Sequence, residues 1–138
     1  MFVVDKSASV GSKINYALVK AFLAKLVDRS GIDSRSTRVG LVTYSTHVGK
    51  TIYLNAYYSS ASLKSAILSL IYSGGQYRNT ADALAYVRTT MLTSAAGARS
   101  DVYKVVIVIT AGPSTDIHAT KVRLILHLRQ RKTMPMYS

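Results

Sequence analysis

Cysteine is absent from this chain, and acidic residues are scarce. Without cysteine there is no disulfide framework, no thiol nucleophile and no thiolate metal site. The compartment stays open on that count, because an α/β domain of this size can be stable without disulfides. No Asn-x-Ser/Thr sequon occurs. No apolar run reaches the roughly 18 residues that cross a bilayer, so membrane insertion is not expected. Six acidic residues face 18 Lys and Arg, which leaves a net charge of +12. Such an imbalance attracts polyanions and makes binding depend on ionic strength. Sulfated glycans, acidic matrix proteins, acidic lipid surfaces and nucleic acids all fit the sign, as does a plain basic surface with no dedicated site.

Enzyme signatures are missing as well. Gly49-Lys50-Thr51 has the tail of a phosphate loop, but Tyr44 stands where that pattern needs its first glycine. Gly74-Gly75 lacks the third glycine of a dinucleotide fingerprint. His47, His118 and His127 have no zinc-pair spacing, and no Ser, His and Asp are arranged as a nucleophile elbow. The chain also lacks the stacked aromatics or recognition helix of a nucleic-acid reader, so nucleic acid is an unlikely partner. The expectation is a non-enzyme.

What the chain does contain is one domain's worth of alternating elements in 138 residues, 49% hydrophobic and 17% charged. Met1–Asp5 is an apolar run ending in a carboxylate. A helix capped by Ser12 is predicted to reach about Arg29, with Ile14, Leu18, Phe22 and Leu26 forming an inward stripe that Val19 and Leu23 widen. Gly31 ends that region. Val39–Ser45 is a predicted strand, His47–Lys50 a turn and Thr51–Leu54 a second strand paired antiparallel with the first. Ser60 or Ser62 caps a helix to about Tyr72, with Leu63, Ile67, Leu70 and Ile71 on one face. Ala81–Leu92 follows as a helix with Leu84, Val87 and Met91 inward. Val102–Thr110 is β-branched and apolar enough for a central strand buried on both faces. A last helix runs from about Thr115 or Asp116 to Arg131, and its basic residues form a charged face. Strands alternating with helices predict an α/β fold: a Rossmann-like doubly wound, mostly parallel sheet, one antiparallel edge strand and helices on both faces.

The chemistry concentrates at strand ends. Asp5-x-Ser7-x-Ser9 places a carboxylate and two hydroxyls just past a buried strand, an oxygen-only set that suits Mg²⁺, Ca²⁺ or Mn²⁺. Asn79-Thr80 after Gly74-Gly75, and Ile109-Thr110-Ala111-Gly112 after the late apolar run, are the segments that join it. In an open α/β sheet, loops after neighbouring parallel strands meet at one rim.

Together with Arg38-Val39-Gly40-Leu41-Val42-Thr43-Tyr44-Ser45, Asn79–Leu84 and Gly97-Ala98-Arg99, these segments resemble the von Willebrand factor type A domain, in its matrilin and collagen-VI-like branch. The resemblance runs nearly the whole chain. It implies an extracellular, secreted adhesion module that binds collagen or another matrix protein at a metal-ion-dependent adhesion site. By the same resemblance Asp5 is the first carboxylate, and Ser7, Ser9 and Thr80 are the hydroxyl ligands. A second carboxylate is expected where this chain has Ala111, so the site reads as degraded, with weak Mg²⁺ or other divalent binding at most. Three roles for the cluster stay open. It can hold a cation weakly, it can satisfy backbone donors in a turn, or Arg78 or Lys6 can take the cation's place. Lys6, Arg78 and His118 are the expected partner-binding residues. Sulfated glycans or acidic proteins are the alternative partners. Met1 leads straight into a strand with no leader pattern. Tyr137-Ser138 opens a strand that does not complete, so a final strand and helix of the family are expected to be missing.

Overall fold

Met1–Val4 points its side chains alternately to two faces, and that alternation sets the architecture. In the computed structural model, which describes residues 1–116, Phe2–Asp5 forms β1 and is buried along its length. Phe2 and Val4 join a core with Tyr16, Leu23, Leu41, Leu63 and Ile67 on one face. Val3 joins Met1, Val42, Tyr44, Val87 and Met91 on the other. A strand apolar on both sides must be covered on both, the position of a central strand in a layered sheet.

β1 lies between β2 (Leu41–Tyr44) and β4 (Ile107–Ile109) and is parallel to each. β3 (Val48–Ile52) pairs antiparallel with β2, so the strand order is β3-β2-β1-β4. Helix α1 (Lys13–Asp28) and helix α2 (Ser60–Leu68) cover the Phe2/Val4 face. Helix α3 (Thr80–Tyr86), continued by a wider π turn at Val87–Met91, covers the Val3 face. This is the doubly wound, mostly parallel sheet with an antiparallel edge strand that the sequence predicts.

Several local expectations are corrected. Ser12 caps α1, its Oγ accepting from Asn15 N at 3.1 Å, but the buried face is Tyr16, Leu23 and Val27. Ile14, Leu18 and Phe22 are exposed, with Ile14 at 76%. A repeat of four residues advances about 400° and so drifts around a helix of 3.6 residues per turn. Tyr16, Leu23 and Val27 are seven and four residues apart, eleven in all or about three turns, and so stay on the sheet side. Helix α2 is capped by Ser59 and ends at Leu68, four residues before the predicted end, which leaves Ile71 81% exposed. The strand predicted at Thr51–Leu54 begins at Val48. The late strand is short, and Val105 and Ile107 are exposed. Among the described residues β4 pairs with β1 and sits at the sheet edge, so burial on both faces is not what is observed. The predicted last helix lies outside the described residues.

Candidate functional site

Strand order reverses at β1: the chain leaves it toward β2 and returns as β4 on the other side. At such a switch point the loops after the two neighbouring strands diverge, and a crevice opens at their C-terminal ends. Here those loops carry Lys6–Val10 and Thr110–Ser114.

A third loop, residues 73–79, is laid alongside the first. Ala8 N donates to Gly75 O at 2.8 Å and Gly74 N to Lys6 O at 3.1 Å. Ser7 and Gly75 form an isolated parallel bridge. Only glycine fits at 75, since a Cβ there would lie 2.3 Å from Ser45 Oγ. Asn79 fastens the far end of the loop: its N donates to Ser45 O at 2.9 Å and its Nδ2 to Thr46 O at 2.8 Å.

Asp5 is the acceptor at the centre and is 2% exposed. Its Oδ1 accepts from Ser7 N at 2.8 Å. Its Oδ2 accepts from Ala111 N at 3.0 Å and from Thr110 Oγ1 at 3.2 Å. One carboxylate thus ties the start of the chain to the loop after β4. Thr80 opens α3 and donates through Oγ1 to Tyr44 Oη at 3.0 Å. Burial raises the Tyr44 phenol above its ordinary value of 10.0. Hydrogen bonds to Thr80 and Thr110 oppose that rise, the Asp5 charge adds to it, and the Arg78 charge opposes it. Ser7 Oγ is buried with no hydrogen-bond partner among the described residues.

Arg78 spans the crevice from the third loop. Its Nη1 donates to Ser9 Oγ and its Nε donates to Pro113 O at 2.9 Å. Its own backbone is held by the loop after β4: its N donates to Thr115 Oγ1 at 3.0 Å, and its O accepts from Thr115 N at 2.9 Å and Ser114 Oγ at 3.1 Å. Gly112 makes room for the guanidinium, since a Cβ there would lie 3.3 Å from Arg78 Nη2. Lys6 turns elsewhere. A Cβ at Gly49 would lie 2.6 Å from its Nζ, so its ammonium crosses toward β3. There it lines a cavity of about 450 Å³ with Lys50, Tyr53, Tyr57 and Leu70. His118 lies outside the described residues.

The structure therefore brings Asp5, Ser7, Ser9, Thr80, Arg78 and Ala111 to one rim. Sequence reasoning placed Asn79 and Thr110 in the rim segments without a role, and it did not find Tyr44 there. Tyr44 reads as one more core aromatic in the chain, and only its partner Thr80 reveals it.

Apart from Ser7 Oγ, unpartnered among the described residues, this donor set is a poor one for a divalent cation. A hard cation sits about 2.0–2.6 Å from its oxygens and is held chiefly by carboxylates. The rim offers the carboxylate of Asp5, with both oxygens engaged by Ser7, Thr110 and Ala111. Ser9 Oγ already accepts from a guanidinium. An ion bound to that oxygen would contact a like charge. Among the described residues no group of three or more His, Cys, Asp or Glu could hold a metal.

Known proteins resemble this chain in sequence and fold. Human matrilin-1 is 34% identical over 116 residues, covering 84% of this chain and 23% of its own length. The mouse collagen alpha-4(VI) chain is 39% identical over 124 residues, covering 84% of this chain and 5% of its own. The chain thus spans less than a quarter of either relative. Proximal thread matrix protein 1 of the mussel byssus superposes with a TM-score of 0.82 at 26% identity, over 94% of this chain and 34% of that one. A form of the same mussel protein with a zinc-occupied MIDAS motif superposes at 0.79 and 27% identity, over 94% and 35% of the two chains, so a related rim can take a divalent cation. The model of the von Willebrand factor type A domain matches residues 1–136, and this chain belongs to that family.

Proposed function

We propose that this chain is a non-enzymatic adhesion module that docks an extracellular matrix protein such as collagen at the C-terminal rim of its sheet. The observation that carries this reading is the convergence of the loops after β1 and β4 with residues 73–79 on Asp5 and Arg78. Loops on a rigid parallel sheet are where such folds place their ligand contacts. The relatives point the same way, since their names include a collagen chain and a thread matrix protein. The metal-ion-dependent adhesion site is degraded in this reading, and docking proceeds without a divalent ion.

A second reading has one observation of its own. Arg38 and Arg99 cluster before β2 and β4, at the opposite pole, and donate to backbone carbonyls: Arg38 Nη1 to Gly97 O at 2.9 Å and Arg99 Nη1 to Arg35 O at 2.8 Å. With a net charge of +12, that pole suits a sulfated glycan or an acidic protein.

A solid-phase panel of collagens, heparin and DNA, each with Mg²⁺ or chelator at two salt concentrations, separates the readings. Adhesion at the rim predicts saturable collagen binding that survives moderate salt and chelator. A charge-driven contact predicts heparin retention lost steeply as salt rises. No collagen binding in any condition would sink the first reading.

A further inference from the structure

One of the hydroxyl oxygens expected around a metal at this rim, Ser9 Oγ, is held instead by a residue that carries permanent positive charge. Arg78 bonds Ser9 Oγ on the loop after β1 and Pro113 O on the loop after β4, from an anchor on a third segment. A divalent ion joins loops in the same way, by drawing oxygens from separate segments to one centre. Asp5 is the one carboxylate among the rim residues named above, a single negative charge that one guanidinium balances and a divalent ion over-balances. Ala111 completes the match: a second carboxylate would be needed for a 2+ ion and is absent. Gly112 leaves the space in which the guanidinium lies.

We propose that the Arg78 guanidinium is the resident cation of this rim, standing where a metal would stand, and that it receives a carboxylate of the partner protein. A guanidinium has five N–H donors in a planar fork. Nε and one N–H of Nη1 are used within the domain. The second N–H of Nη1 and the adjacent N–H of Nη2 form a parallel pair suited to a bidentate carboxylate. The carboxylate half of this inference rests on the adhesion reading above; the cation half does not.

The test uses the whole chain, with Arg78→Ser, Ala111→Asp and the double variant, read first without any partner. Calorimetric titration with MnCl₂ or MgCl₂ is expected to give no binding to the natural chain or to Ala111→Asp. The double variant, with one charge removed and one carboxylate added, is expected to gain saturable Mn²⁺ binding and a Mn²⁺-dependent rise in Tm. Arg78→Ser alone is expected to lower Tm by about 3 °C or more. Micromolar Mn²⁺ binding by the natural chain would overturn the proposal, as would an unchanged Tm in Arg78→Ser. If the double variant fails to fold, the natural chain and Arg78→Ser still decide it. For the carboxylate, sodium acetate is titrated while the ¹⁵N–¹H signal of Arg78 Nε is followed, with sodium chloride as the ionic-strength control. A saturable shift with acetate that chloride does not reproduce is expected, and equal responses to the two salts would overturn that half. Failure of collagen binding with success in these arms would sink the adhesion reading and leave the cation assignment standing.

Discussion

The backbone N–H of Ala111 donates to Oδ2 of Asp5 at 3.0 Å across 106 positions of sequence. With Ser7 N on Oδ1 and Thr110 Oγ1 on Oδ2, it makes Asp5 a buried junction between the first and last described strands. Hydrogen bonds to a charged acceptor contribute about 1.5–3 kcal/mol each. Asp5→Ala is therefore expected to cost about 3 kcal/mol or more in urea unfolding, whether or not Mg²⁺ is present. A loss under about 1 kcal/mol would mean the junction is incidental.

Gly75 sits where a side chain would strike Ser45, with Oγ at 2.3 Å and Cβ at 2.6 Å from the added carbon. Gly75→Ala must displace the third loop from the first. The expected cost is about 1–3 kcal/mol, the usual range for forced overpacking, measured as a shift in the urea midpoint at unchanged slope.

Tyr16 is 1% exposed, and its hydroxyl has no partner among the described residues. Burial, with a smaller push from the Asp5 charge, raises its phenol from 10.0 to about 12. The unfolded chain then releases this proton first as pH rises, so the contribution to stability is intact below about pH 10 and is lost as pH climbs through about 12. Tyr16→Phe removes the unpaired hydroxyl and is expected to gain about 1 kcal/mol at neutral pH. It should also lessen the alkaline fall, which a Tm series up to pH 12 would show.

The two sides of α1 make opposite predictions. Leu23 is fully buried and Leu18 is 66% exposed. Leu23→Ala is expected to cost about 2–5 kcal/mol. Leu18→Ser should stay within about 0.5 kcal/mol, the range for exposed sites. Equal costs in thermal unfolding would restore the four-residue stripe as the core face.

The errors of sequence reading have a common cause. Helix α1 was legible as a helix, from Ser12 to its end near Gly31, because caps and periodicity act locally. Its buried face was legible only in part: Leu23, with Val19 and Leu26 beside it, was read as inward and is, but Ile14, Leu18 and Phe22 are as apolar as Tyr16 and Val27, and only the neighbouring sheet selects between them. The same holds for Val102–Thr110: its composition suits a doubly buried strand, but burial depends on what lies on both sides of it. At the rim, Asp5, Ser7, Ser9 and Thr80 were legible from spacing and resemblance. Thr110 was legible only as part of a joining segment, and Tyr44 was not legible at all, since a hydroxyl in an apolar strand becomes a rim group only when its partner arrives from another segment.

By itself, the order of residues determined the alternation of strands and helices, the family, the excess of positive charge and the missing carboxylate at Ala111. Those are properties of composition and short-range pattern. The fold alone decided that Arg78, rather than Lys6, reaches Ser9 and Pro113. Both are basic residues in rim loops. The direction of a long side chain depends on the space left by neighbours distant in sequence, here Gly112 for Arg78 and Gly49 for Lys6.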